Sequence, residues 1–255
     1  MNPWGAPLYH EERVSSTMDY ARALAGRNAP SGTVAAADFQ ESGRGRSGRP
    51  WFSPAGNLYF TVLLRYGGIA SIPAALTLRA GLAAALALET CFPVLAGAVK
   101  IKWPNDIMLA GPGGAARKTA GILSEAAGGT VLVGVGVNLG RKEFPPELSA
   151  RATSVALALE AYGARYDGAA RGVLLEKILF ALQQTLAGDD WRRGVEARLY
   201  KKGETVRFIA GAAVNDGAAA AVEGDLAGVR EDGALLLASG GETRACLTGE
   251  LDVYS

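Results

Sequence analysis

Gly43-Arg44-Gly45-Arg46-Ser47-Gly48-Arg49-Pro50-Trp51-Phe52-Ser53-Pro54 is the stretch whose reading decides the fold of this chain. Three arginines alternate with three glycines between Gly43 and Arg49. Glycine lets a backbone approach a ligand closely and take positive φ. Arginine brings a fixed fork of donors matched to carboxylate and phosphate. Together they describe a mobile loop that closes on an anionic substrate. The spacing also fits G-x-G-x-x-G, but the dinucleotide fingerprint follows a strand and opens a helix. Thr33–Phe39 supplies the strand, whereas Pro50 and Pro54 forbid the helix, and Leu58–Arg65 reads as another strand. A kinase glycine loop does lie between strands, yet it needs a His-Arg-Asp catalytic loop. The one histidine, His10, stands far from any such motif.

Outward from the loop, Leu8–Val14 reads as a short strand, and Ser15-Ser16-Thr17 leads into a helix over Met18–Ala25, with Ser16 or Thr17 as N-cap. Ser71 is the expected cap of a long helix ending near Cys91, whose Leu78, Leu82 and Leu86 share one face. Val99–Trp103 reads as a strand, and Lys118–Glu125 and Thr130–Asn138 as an antiparallel pair. Leu175, Leu179, Leu182 and Leu186 mark a second amphipathic helix, and Trp191–Tyr200 a third. From Gly203 the pattern changes to short strands: Thr205–Phe208, Ala219–Glu223, Gly228–Arg230, Ala234–Leu237 and Glu242–Leu247. Turns such as Asn215-Asp216-Gly217 and Glu231-Asp232-Gly233 separate them. This describes an α+β domain over 1–202 rather than a parallel α/β sheet, followed by a small barrel over 203–255.

The bulk composition excludes several classes. With 49% hydrophobic and 20% charged residues, the 255-residue chain suits a globular core. A net charge of +1 leaves basic character local rather than spread for nucleic acid or membrane. The run Ala80–Leu88 is far short of the roughly 18 residues of a spanning helix. Met1–His10 has no hydrophobic segment of a secretory signal, which with two thiols makes the cytoplasm the expected compartment. Cys91 and Cys246 have no metal-ligand spacing, so no metal site is expected.

Three further segments carry chemistry. In Lys102-Trp103-Pro104-Asn105-Asp106, Pro104 ends the strand and turns Asn105 and Asp106 out, either toward a nucleotide or as an ordinary turn. Arg117-Lys118-Thr119, after Gly111-Pro112-Gly113-Gly114, is no P-loop, because Arg117 and Pro112 replace its glycines and a strand follows. Lys118 starts that strand and either projects into a site or stays solvated. Gly134-Val135-Gly136-Val137-Asn138 is a strand that admits close approach, with Asn138 at its end.

Taken in order, these segments resemble the biotin protein ligases. The resemblance covers nearly the whole chain. It rests on Ser16-Thr17, Gln40, the arginine loop with Trp51-Phe52-Ser53, Lys102–Asp106, Lys118 with Gly121-Ile122-Leu123, Gly136-Val137-Asn138 and Gly233-Ala234-Leu235. It departs at Met18, where the family commonly has Asn, and in the longer connection Ala110–Ala116, expected to be a surface loop. Ser16-Thr17 also comes early, so a winged-helix DNA-binding segment is not expected before it.

The resemblance implies a catalytic domain built on a mixed sheet flanked by helices, like that of class II aminoacyl-tRNA synthetases, with a C-terminal SH3-like barrel. It implies activation of biotin by Mg2+ and ATP to biotinyl-5′-AMP, then transfer to a lysine of a biotin carboxyl carrier domain. Lys118, Arg46 and Arg44 are the implied catalytic groups. Ser16, Thr17, Met18, Gln40, Gly43, Arg44, Gly45, Arg46, Lys118 and Gly121 are implied around biotin. Arg46, Arg49, Trp51, Phe52, Ser53, Asn105, Asp106, Lys118 and Asn138 are implied around ATP. A homodimer is compatible with the resemblance. The competing readings are a lipoate–protein ligase with the same chemistry and a non-catalytic DNA-binding regulator, which would need a recognition helix and a basic face.

Overall fold

The computed structural model describes residues 1–211 and 221–252. A seven-stranded sheet is built from β1 (Leu8–Val14), β2 (Thr33–Gln40), β3 (Leu58–Arg65), β4 (Val99–Lys102), β5 (Asp106–Ala110), β6 (Ala116–Ala127) and β7 (Thr130–Val137). Their order is β1-β2-β3-β7-β6-β5-β4. β1 and β2 are parallel, joined by helix α1 (Thr17–Gly26), and the other neighbours are antiparallel. This is the expected mixed sheet.

β3 and β7 are buried on both faces, so they read as nearly continuous apolar runs rather than an alternation. One face carries Phe60, Val62, Val133, Val135 and Ile122 into the main core, under α2 (Leu76–Cys91) and α5 (Ala170–Ala187). The other carries Ala35, Leu63 and Leu132 into a small cluster with Met18, Ala21 and Leu24 of α1. With ten residues, α1 covers only part of this second face. In the uncovered part the register pairs Gly121 with Gly136 and Leu123 with Gly134, and these glycines floor the cavity described below.

Several expectations need correction. Ser71 does not cap α2; it ends a 3-10 turn, and the helix begins at Leu76. Pro73 biases Ile72 toward extended backbone, observed at φ −73, ψ 127, so no helix can run through from Ser71. With its preceding turn, Ile69–Cys91 is long and apolar enough to satisfy a length test for a membrane span, which the run Ala80–Leu88 alone did not suggest. Part of this apolar surface is spent inside the protein, where Leu78, Leu82, Ala83, Ala84 and Leu88 are buried, while Ile69 is exposed. β5 and the short helices α3 (Pro146–Ser149) and α4 (Val155–Ala161) were not expected. The Trp191 helix, α6 (Trp191–Glu196), stops four residues before Tyr200. Residues 111–115 form the expected exposed turn between β5 and β6.

The C-terminal strands β8 (Thr205–Ala210), β9 (Ala221–Val229), β10 (Leu235–Ser239), β11 (Glu242–Cys246) and β12 (Gly249–Asp252) form an antiparallel sheet in the order β11-β10-β9-β8-β12. Of the expected strands over Ala219–Glu223 and Gly228–Arg230, residues 221–223 and 228–229 belong to the single strand β9, and β12 was missed. Residues 219 and 220 and the turn Asn215-Asp216-Gly217 lie outside the described residues. Among the described residues β11 and β12 do not pair, so the sheet is not a closed barrel. It must nevertheless curl. Five flat strands span about 19 Å, whereas only Leu247 and Thr248 join its two edge strands, a reach of about 11 Å. Trp103 fastens the two sheets together. It is 2% exposed, its ring lies 5.8 Å from that of Phe208, and its Nε1 donates to Gly233 O at 2.9 Å.

Candidate active site

A cavity of about 550 Å3 opens beside the uncovered part of the large sheet. Ser16, Thr17, Met18, Gln40, Arg44, Gly45, Arg46, Arg49, Trp51, Phe52, Asn105, Asp106, Lys118, Gly121 and Asn138 all line it. Of the candidate residues, Gly43 and Ser53 do not; they stand behind its wall, where Gly43 packs on Ser53 and the Trp51 carbonyl.

One end is polar and uncharged. Ser16 is the N-cap of α1 and accepts from Asp19 N, while Thr17 is the first helical residue. Thr17 N and Oγ1 donate to Gln40 Oε1 at 2.8 and 3.1 Å, and Thr61 Oγ1 donates to Thr17 Oγ1 at 2.9 Å. Gln40 Nε2 donates to Ser53 Oγ, which donates to Trp51 O. This chain of bonds orients the buried Thr17 and Gln40 and explains Ser53 as a support. Met18 is buried, and its thioether packs against Gly134, where a Cβ would lie 2.8 Å from Sδ and push the side chain aside.

The arginine loop is a tight hairpin. Gly45 N donates to Arg49 O, Trp51 N to Gly43 O, and Arg44 bridges to Pro50. The three arginines reach out in two directions, toward α1 and toward β12. Arg44 pairs with Asp19 of α1 at 2.7 Å. Arg46 reaches Asn105 Oδ1 at 3.3 Å and the Gly249 carbonyl of β12. Arg49 pairs with Glu250 of β12 at 2.7 Å. Trp51 then lies across the sheet. A Cβ at position 136 would sit 2.5 Å from its Nε1, so only glycine admits the indole there. Lys118 Nζ stands 5.0 Å from the ring centroid.

The centre is charged. Lys118 Nζ lies 2.6 Å from Asp106 Oδ1, an ion pair by distance although it lacks the alignment of a hydrogen bond. Asp106 also acts through space on Arg46 and Lys102. Burial lowers the pKa of the Arg46 guanidinium, and Asp106 works against that shift. Burial likewise lowers the pKa of the Lys102 ammonium, opposed by Asp106 and reinforced by Lys118. Three cations thus gather around Asp106, with Glu250 of β12 a second carboxylate acting on Arg46 and Lys102. Cations outnumber carboxylates here, an arrangement that accepts anions. Among the described residues no group of three or more His, Cys, Asp or Glu is placed to hold a metal ion.

Asn105 and Asn138 are partly committed already. Asn105 Nδ2 donates to Ile122 O, and its Oδ1 receives Arg46. Asn138 is buried, and its Nδ2 donates to Thr153 O at 3.1 Å, tying the end of β7 to the segment that follows. Phe52 is 47% exposed at the rim and faces the Arg141 guanidinium at 4.3 Å.

The sequence reading missed several wall residues. Lys102, Phe144, Leu148 and Arg151 line the cavity, and Ile209, Glu250 and Leu251 bring the C-terminal sheet to it. Lys102 stood inside a quoted motif, so its type was visible but not its direction. The C-terminal residues gave no local signal, because their place follows from how the sheets meet.

Comparison with known proteins agrees with this geometry. Residues 11–141 match the model of the biotin/lipoate A/B protein ligase family. The chain is 35% identical over 189 residues to the bifunctional ligase/repressor BirA of Bacillus spizizenii, covering 71% of this chain and 54% of that protein. It is 44% identical over 133 residues to the biotin–[acetyl-CoA-carboxylase] ligase of Paracoccus denitrificans, covering 50% of this chain and 52% of that one. The chain therefore spans about half the length of these relatives. Among solved structures, the biotin protein ligase of Aquifex aeolicus in complex with biotin and ATP superposes with a TM-score of 0.75 at 29% identity, covering 96% of this chain and 97% of that one. By the match of the family model, this chain belongs to the biotin/lipoate A/B protein ligase family.

Proposed function

We propose that the protein is an ATP-dependent biotin ligase. It activates biotin as biotinyl-5′-AMP and passes the biotinyl group to a lysine of a biotin carboxyl carrier domain. The observation that carries this reading is the cluster of Lys118, Arg46 and Lys102 around Asp106, next to the uncharged polar end at Ser16, Thr17 and Gln40. The relatives named as biotin ligases and the Aquifex aeolicus structure with biotin and ATP support it.

The chemistry suits the residues. A biotin carboxylate oxygen attacks the α-phosphorus of ATP and pyrophosphate leaves; Mg2+ arrives with ATP as part of that substrate. The carboxylate is already ionised near neutral pH, so the step needs no general base. It needs positioning and positive charge where charge develops. Lys118 is assigned to the carboxylate and the α-phosphate, with Arg44 and Arg46 closing over both. Ser16, Thr17, Gln40 and Met18 are assigned to the biotin rings, backed by Gly43, Gly45 and Gly121. Trp51, Phe52, Arg49, Asn105, Asp106 and Asn138 are assigned to the nucleotide, with Ser53 in support. In the second step the acceptor amine attacks the biotinyl carbonyl, and AMP leaves.

Residues 1–202 are assigned the activation chemistry, and 203–255 a smaller domain that completes the wall. Cytoplasmic location, a homodimer through an edge strand, and absence of sequence-specific DNA binding belong to the same proposal. The net charge of +1 supports the last point. Pyrophosphate–ATP exchange with biotin and with lipoate tests the central activity.

A further inference from the structure

Asp19 occupies a position that no assigned step uses. It is the third residue of α1, and its backbone N–H completes the cap on Ser16 Oγ at 3.1 Å. Its carboxylate is engaged three ways: Ser16 Oγ donates to Oδ2 at 2.9 Å, and Arg44 and Arg22 donate to Oδ1. Arg22 turns its other amino group to Glu125 on β6. Burial alone would raise the carboxyl pKa, but the bonds from Arg44 and Ser16 prevail and hold it below 3.8. The group is therefore anionic whenever the neutral-pH protein is folded.

Two parts of the cavity meet on this one side chain. Ser16 belongs to the uncharged polar end, and Arg44 begins the arginine loop. Arg46 and Arg49 tie the far side of the same loop to β12. The hairpin is thus moored at both sides, and Asp19 is the mooring on the side of α1. Glycines at 43, 45 and 48 make an unmoored loop costly to order.

We infer that Asp19 is a positioning residue that latches the arginine loop to α1, so that the polar end of the cavity and loop closure are coupled through a single carboxylate. The link to catalysis rests on the biotin-ligase reading; the latch itself does not. A ligand that engages Ser16 shifts the bonds of the carboxylate that holds Arg44. Opening the loop requires that carboxylate to release its guanidinium. An Arg44–Asp19 pair at the surface is weak, which suits a latch that opens in every cycle.

Amide hydrogen exchange over residues 43–49 in the ligand-free protein is the test. In Asp19→Asn, exchange there should be about two- to fivefold faster, the factor an exposed ion pair supplies. Thermal unfolding should stay near wild type, because the Ser16 cap on the backbone remains. Asp19→Glu should restore most of the protection. Arg22→Ala, which removes the other guanidinium from the same oxygen, should leave the loop unchanged. Equal exchange in wild type and Asp19→Asn overturns the latch, as does faster exchange of the same size in Arg22→Ala, which would mean general loosening of α1. Should Asp19→Asn misfold, Arg44→Gln removes the other partner, and unchanged exchange there overturns the latch as well. Without acceptor, Asp19→Asn should also release biotinyl-adenylate about two- to fivefold faster. Faster exchange with unchanged release overturns the coupling to catalysis. A wild-type protein that forms no adenylate fails the ligase reading instead, and exchange still decides the latch.

Discussion

Lys118 and Asp106 face each other across the β5–β6 pairing, with Nζ 2.6 Å from Oδ1. Asp106 is the first residue of β5 and pairs in register with Gly121, while Lys118 pairs with Met108. An irregularity between Ile107 and Met108 shifts the register at this point, as a β-bulge does when it re-aims side chains. The strand geometry thus holds the lysine over the cavity before any substrate arrives. On the proposed mechanism the carboxylate keeps Lys118 in place, and an incoming anion takes it over.

Removing the charge of Lys118 should therefore affect chemistry more than binding. Lys118→Gln is expected to slow adenylate formation by two or more powers of ten, since one charged donor to developing charge is worth about 3–4 kcal/mol. Biotin affinity should fall less. Single-turnover adenylation with labelled biotin measures this; a wild-type rate would remove Lys118 from the mechanism.

Lys102 should show a trade of stability for function. Its ammonium has a pKa below the ordinary 10.5 because it is buried. The charged form is thus less favoured in the folded protein than in the unfolded chain. That cost is present at neutral pH and is relieved as pH rises toward about 10, where the unfolded chain also discharges. Lys102→Met should melt at or above the wild-type temperature at pH 7, with the difference narrowing at high pH, and should form adenylate more slowly. A variant that melts lower and reacts at wild-type rate would contradict the assignment.

Trp103 should matter to both sheets. Trp103→Ala removes a buried indole and should cost about 3–5 kcal/mol. Trp103→Phe keeps the ring packing but leaves the Gly233 carbonyl without its donor, a loss of about 1–3 kcal/mol. Urea denaturation measures both. If Trp103→Ala unfolds at the wild-type midpoint, the indole does not fasten the two sheets.

Much of this arrangement was legible because its signals are local. β3 occupies the expected Leu58–Arg65, a run of β-formers ended by Arg65-Tyr66-Gly67. Gly128-Gly129 marks the turn between β6 and β7, and Ser16 caps α1. The arginine loop stood out because its residue types are costly to gather without a ligand. The residues around Lys118 and Asp106 left site and surface open, and only the resemblance favoured the site; the structure brings the loop's arginines, Lys118 and Asp106 to one cavity. β5 was not legible, since its five residues, in the short stretch between Pro104 and the glycines at 111, 113 and 114, look like a connector. Their strand character comes from pairing with β4 and β6, and burial of Ile107, Met108 and Leu109 follows from that pairing. Helix α4 carried a usable signal in its Ser154 cap but is only seven residues long. Glu250 and the Gly249 carbonyl were beyond local reading, because they meet Arg49 and Arg46 across some two hundred residues of chain.

The most direct measurement of the central claim is pyrophosphate–ATP exchange by the purified protein, with biotin and lipoate compared side by side. Exchange that depends on biotin, is much weaker with lipoate and is lost in Lys118→Gln is the result this account predicts. Exchange driven by lipoate and not by biotin, or biotin-dependent exchange that survives Lys118→Gln unchanged, would contradict it.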